Sequence, residues 1–216
     1  MDWIPPGKNC GSCGMPSCDA FIAAVNAGCK TADECPYYST PLKKQDVIFS
    51  NSSPVCDLET VYSGVDITGV AYDFILTALP GESSARKIIL PFRSDLVEVL
   101  GIVAGDIVTG RPTGAGCPVQ HVIKVLEVDP GSGLITGHVV GPAFARGNDN
   151  IVDLKHYHMI GFEGIANVIR KIPKFGLRMP FFPGTCMMHR THTGIVNMIM
   201  RKSYGLHVRV EGIVIL

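Results

Sequence analysis

The chain has 216 residues, 46% hydrophobic and 18% charged, with 19 Lys+Arg against 19 Asp+Glu. A formal net charge of zero excludes a strongly basic nucleic-acid binder or an acidic disordered tail as the reading of the whole chain. The apolar share supplies a buried core, and the length suits one sizeable domain with a small appendage, or two small domains.

The N-terminus, Met1-Asp2-Trp3-Ile4-Pro5-Pro6, lacks the basic and then apolar run of a secretory signal, so a cytoplasmic location is expected. No apolar stretch is long and uninterrupted enough to predict a membrane span. Five of the eight cysteines crowd into residues 10–35. Without an export signal, metal ligation accounts for them better than disulfides do.

Cys10, Cys13, Cys18 and Cys35 form C-x2-C-x4-C-x16-C, ending in Cys35-Pro36. Iron–sulfur clusters are held by four thiolates, and closely spaced ligands must wrap the cluster without regular structure, which Gly11, Gly14 and Pro16 permit. From Ser17 or Cys18 the pattern changes to a helix that Gly28 stops. Cys18 then sits in the first turn, where free backbone N–H groups and the helix dipole favour a negative cluster. Phe21, Ile22 and Val25 form an apolar lid over it. Cys29 falls outside the ligand pattern and reads as a small packed hydrophobe. Zinc on the same four thiolates is the alternative, although zinc ribbons generally show two C-x2-C knuckles and this segment has one.

The stretch Asn9–Pro36, NCGSCGMPSCDAFIAAVNAGCKTADECP, resembles the single-cluster iron–sulfur module of the corrinoid iron–sulfur protein large subunit and of the Rnf complex B subunit. Cys10, Cys13-Gly14, Cys18, Phe21, Gly28 and Cys35-Pro36 match that family's signature, and Ile22 stands where it usually has Ala. The resemblance implies a [4Fe-4S] cluster on the four cysteines and, with it, a place in anaerobic metabolism. The corrinoid protein's further domains do not fit in this length, so corrinoid binding is not implied.

Beyond a linker at Pro41, the chain reads mainly as strand. Runs at Val47–Ser50, Val65–Leu79 with a break at Gly69, and Arg86–Leu90 are rich in β-formers. A short helix over Ser94–Leu100 and an Ala104-Gly105-Asp106 turn into strand Ile107–Thr109 follow. This passage is similar in local shape to swapped-hairpin and related small barrels, which carries no function. Val119–Val128 and Leu134–Val140 flank Asp129-Pro130-Gly131-Ser132-Gly133, a hairpin signal. Apolar positions 162, 165, 166, 168, 169 and 172 predict a helix over Phe162–Ile172. Leu206–Leu216 reads as a strand entering a core. The expected class is α+β: a helix-loop iron–sulfur module at 1–41, then a mainly β, barrel-like domain at 42–216 with one longer helix.

All seven histidines lie after residue 120. Two glycine-flanked loops pair thiols with imidazoles: Cys117 with His121, and Cys186 with His189 and His192. If the loops converge, these five residues could ligate a second metal or supply a thiolate and an acid/base pair; otherwise they are scattered histidines and buried cysteines. Residues 164–210 hold Arg170, Lys171, Lys174, Arg178, Arg190, Arg201, Lys202 and Arg209 and no acid, whereas residues 1–100 hold twelve acids against seven bases. Such a segment could steer an acidic redox partner or hold an anion, unless acids from other strands neutralise it. Lys174–Gly184, aromatic and Pro-rich, reads as a loop that packs under the cluster or forms a partner surface.

These features predict a one-electron carrier that passes electrons from one [4Fe-4S] cluster to a partner oxidoreductase. A redox enzyme subunit, whose Cys/His loops bind a second metal or a small molecule fed by the cluster, is the alternative. A redox-sensing regulator is a weaker one.

Overall fold

The computed structural model describes residues 4–9, 13, 15–35, 37, 63–145 and 151–216. Helix α1 (Cys18–Asn26) begins where the Ser17 hydroxyl accepts the Ala20 amide at 3.1 Å, an N-cap of the usual kind. It ends at Ala27, followed by Gly28 with φ +75°. Phe21 and Ala24, one turn apart, face inward and join Met15 and Cys35 in a small apolar core.

The rest is built on nine strands: β1 (Phe74–Thr77), β2 (Arg86–Pro91), β3 (Ile107–Thr113), β4 (His121–Asp129), β5 (Leu134–Val140), β6 (Ile151–Asn167), β7 (Arg178–Pro183), β8 (His192–Lys202) and β9 (Gly205–Ile215). A single turn of helix, α2 (Leu96–Val99), joins β2 to β3. The 17-residue β6 is the spine, because it pairs with β1, β2, β3 and β9. Pairing runs in one closed circuit from β6 through β2, β5, β4 and β3 back to β6, and in a second through β9, β8, β7 and β1. Each circuit has its own core. Ile89, Val108, Ile123, Ile135 and Tyr157 centre the first, and Phe74, Phe162, Phe181, Val196 and Val208 the second.

The mainly β, α+β class therefore holds, as do the hairpin, the short helix after β2 and the C-terminal strand. The longer helix does not. Phe162–Asn167 continues β6, and the chain turns off at Val168, whose φ is +45°. Residues on both faces of this segment are buried or half-buried, so its apolar residues need no alternation and mimic helical spacing. Ile169 and Ile172, which the helix would have buried, are exposed. Gly161 and Gly164 allow the close approach: a Cβ at Gly164 would lie 2.1 Å from the Thr77 carbonyl oxygen.

The run Val65–Leu79 contains strand only at β1, preceded by a turn around Gly69. Lys174–Gly184 is not a loop throughout, since β7 occupies most of it and buries Phe181 and Phe182. The expected strand Val47–Ser50 lies outside the described residues.

Candidate functional site

In the N-terminal module, Cys18 is the first residue of α1, and its backbone N–H donates to Asn9 Oδ1 at 2.8 Å. Asn9 takes a positive φ of 43°, which its short polar side chain tolerates better than most. Cys13, Cys18 and Cys35 are thiols outside any disulfide and border one cleft with Met15, Phe21 and Tyr37. Cys10, the fourth residue of the pattern, lies outside the described residues. Cys29 packs against this core as expected, but as a disulfide-bonded residue rather than a thiol. Phe21 is buried, Ile22 and Val25 are not fully so, and the apolar lid thus consists chiefly of Phe21 and Met15.

The two Cys/His loops converge, because β6 ties both circuits together. Cys117, His121, Cys186 and His192 border one cavity between them. His189 does not join them; it lies against a separate cleft with Pro16, Asp66 and Phe182. Among the described residues, no three His, Cys, Asp or Glu side chains are grouped to hold a metal ion. The loop carrying Cys186 is pinned by Asp66, whose carboxylate accepts from the Thr191 amide at 2.7 Å and from Thr68 and Val70. Burial raises the Asp66 pKa, but these hydrogen bonds outweigh it and hold the carboxyl well below the usual range.

The cavity also exposes residues that sequence reasoning missed. Lys87 on β2 is 2% exposed and lines the wall, with Nζ 2.5 Å from His121 Nδ1 and 2.8 Å from the Tyr157 hydroxyl. His121 Nδ1 and the Tyr157 hydroxyl are themselves 2.6 Å apart, closing a triangle. The far edge of the imidazole, Nε2, lies 3.8 Å from Cys117 Sγ, and that sulfur lies 3.8 Å from Met188 Sδ. Among the described residues no carboxylate pairs with Lys87, and none lines the cavity. Burial lowers the Lys87 pKa to about 7, against the pull of Cys117 and Cys186. Burial and then the Lys87 charge lower that of His121. Burial likewise brings His192 down to about 4, even though its Nδ1 lies 2.9 Å from the Arg190 carbonyl oxygen. With Nδ1 donating there, Nε2 of His192 keeps its lone pair. Burial pushes the Cys186 thiol up.

One signal for Lys87 was present in the sequence. Along β2 it shares a strand face with Ile89 and Pro91, both buried, so alternation places the ammonium on the core side.

The basic segment is only partly neutralised. Lys171 meets Asp73 at 2.8 Å, Arg209 meets Glu211 at 2.8 Å and Arg190 approaches Asp66 at 3.6 Å. Lys174, Arg201 and Lys202 are exposed with no described acidic partner.

Residues 6–37 match the family model described as "Putative Fe-S cluster". Over 31 residues, 14% of this chain, the sequence is 52% identical to the B subunit of the Na(+)-translocating ferredoxin:NAD(+) oxidoreductase complex of Acetobacterium woodii, and spans 9% of that protein. The match bears out the Rnf-like reading of the cysteine pattern. Across 215 residues, 96% of this chain and 88% of the relative, it is 32% identical to "Uncharacterized protein MJ0119" of Methanocaldococcus jannaschii. No solved structure matches the chain. No helix among the described residues is long and apolar enough to cross a membrane. The N-terminal segment is an iron–sulfur cluster module, and the chain as a whole belongs to the family of that Methanocaldococcus jannaschii protein.

Proposed function

We propose that this chain is a [4Fe-4S] electron-transfer protein of the cytoplasm and of anaerobic metabolism, with Cys10, Cys13, Cys18 and Cys35 as ligands. Residues 1–41 form the cluster module and 42–216 the mainly β domain. The observation that carries this reading is the convergence of three cysteine thiols on one cleft at the start of α1. A bound cluster supplies one-electron transfer. The chain's own residues orient the Cys18 thiol through Asn9 and α1, and shield one side of the cleft from water with Met15 and Phe21. The acceptor is a partner oxidoreductase, docking beside the cluster or on the basic 164–210 segment, where Lys174, Arg201 and Lys202 keep exposed charge. Likeness to one component of an oxidoreductase complex supports a protein partner. Anaerobic purification with iron and sulfide quantification, then EPR after reduction, tests this. About four irons and four sulfides per chain with a reducible signal is the expected result; a single zinc overturns it.

The second reading is a redox enzyme subunit whose cavity is fed by the cluster. What favours it is the gathering of Cys117, His121, Cys186 and His192 around one cavity with Lys87 on its wall. With no three-donor grouping there among the described residues, a small molecule suits that cavity better than a second metal. Absorbance of a bound organic cofactor beyond that of the cluster is the expected result, and a cavity that takes up no small molecule overturns it.

A further inference from the structure

An ammonium has three N–H donors, and the Lys87 side chain has two hydrogen-bond partners, His121 Nδ1 and the Tyr157 hydroxyl, neither of them charged opposite to it. The Tyr157 and Phe162 rings, with centroids 5.1 and 5.9 Å from Nζ, add cation–π contact but no counter-charge. A buried cation without a carboxylate is costly, and proteins seldom keep one that does nothing. Lys87 lines the cavity, and among the described residues no acid does. A soft metal cation, which the sulfur atoms would otherwise suit, would face the lysine's own charge. An anion would supply what is missing. The remaining wall, with Val119, Val139, Met159, Phe162 and Ile213, is apolar and suits a hydrocarbon body rather than a bare inorganic ion.

We propose that this cavity binds a small organic carboxylate, its carboxylate against Lys87 Nζ and its apolar body against Phe162 and Met159. The inference rests on the part of the second reading that gives the cavity a small molecule, and names its class. It does not depend on electrons from the cluster. The Cys117 and Cys186 thiols border the bound molecule, and His192 Nε2 offers it a further polar contact.

Calorimetry on the air-protected holoprotein tests this with benzoate, its neutral isostere benzyl alcohol and inorganic phosphate as probes, while the cluster's visible absorbance is followed separately. Benzoate should bind about tenfold or more tightly than either of the others, and Lys87→Met should remove that preference. A measurement on the unaltered protein guards against misfolding of the variant. At about pH 8, binding should take up close to one proton per benzoate, detected from the dependence of the heat on buffer ionisation, and at about pH 6 almost none. Equal binding of benzoate and benzyl alcohol, or preference for phosphate, overturns the proposal. So does rapid alkylation of Cys117 or Cys186 by iodoacetamide at about pH 6, which would show that a resident thiolate already supplies the counter-charge. Loss of cluster absorbance with benzoate binding intact would count against the electron-transfer reading and against the cluster's feeding the cavity, and not against this proposal. Failure of benzoate to bind with the cluster intact would count against this proposal alone.

Discussion

Lys87 Nζ lies 2.8 Å from the Tyr157 hydroxyl, with both side chains buried where β2 meets β6. Nothing in that contact repays the desolvation of a charge, so the protein should be more stable without it. Lys87→Met is expected to gain about 1 to 2 kcal/mol near pH 6, since a hydrophobe of similar volume often outperforms an inadequately paired buried charge. Tyr157 and His121 keep their own 2.6 Å contact in the variant. The sign with pH follows from the lowered value of about 7. Between there and the unfolded lysine's value the unfolded chain binds more protons, so the native protein gains stability as pH rises. The advantage of the variant should shrink accordingly between about pH 6 and 9, as urea denaturation at the two values would record.

The cluster ligands separate cleanly from the cavity thiols. Cys18→Ala and Cys35→Ala should each reduce iron from about four per chain to near zero, whereas Cys117→Ala should leave it unchanged. Anaerobic iron assay and EPR on the three variants check this, and retention of iron by Cys18→Ala would remove it from the ligand set.

Asp66 joins the turn before β1 to the residue preceding β8, a separation of 125 positions, through its 2.7 Å contact with the Thr191 amide. Asp66→Asn should cost about 2 kcal/mol, the range for hydrogen bonds to a buried charged acceptor. Because the folded-state pKa lies below the ordinary value of 3.8, the stabilisation is complete above that pH and is lost as pH falls through the folded value. The wild-type protein should therefore lose stability in acid more steeply than the variant, which acid-denaturation curves would show.

Gly164 has no room for a side chain. A methyl group would meet the Thr77 carbonyl oxygen at 2.1 Å and force β1 away from β6. Gly164→Ala should destabilise by about 3 kcal/mol or more, with the loss falling on the second core, which Phe74 and Leu76 of β1 help to form. Thermal melts of this variant beside Gly131→Ala, where the nearest atom is 3.4 Å away, provide the comparison.

What could be read from the residues alone was what near neighbours decide. The cysteine spacing, helix α1 and the Asp129–Gly133 hairpin depend on contacts within a few turns of chain, and each emerged from local pattern. Phe162–Asn167 reads as helix from its residues because both faces of β6 are buried or half-buried there, and two-sided burial erases the alternation that marks a strand. The cavity lay beyond local pattern altogether. His121 reaches Lys87 across 34 positions and Tyr157 across 36, while Met188 reaches Cys117 across 71. Only the closure of strands around β6 brings them together, since hydrogen-bond and sulfur contacts act over a few ångströms and the chain order carries no record of which distant strands will be neighbours.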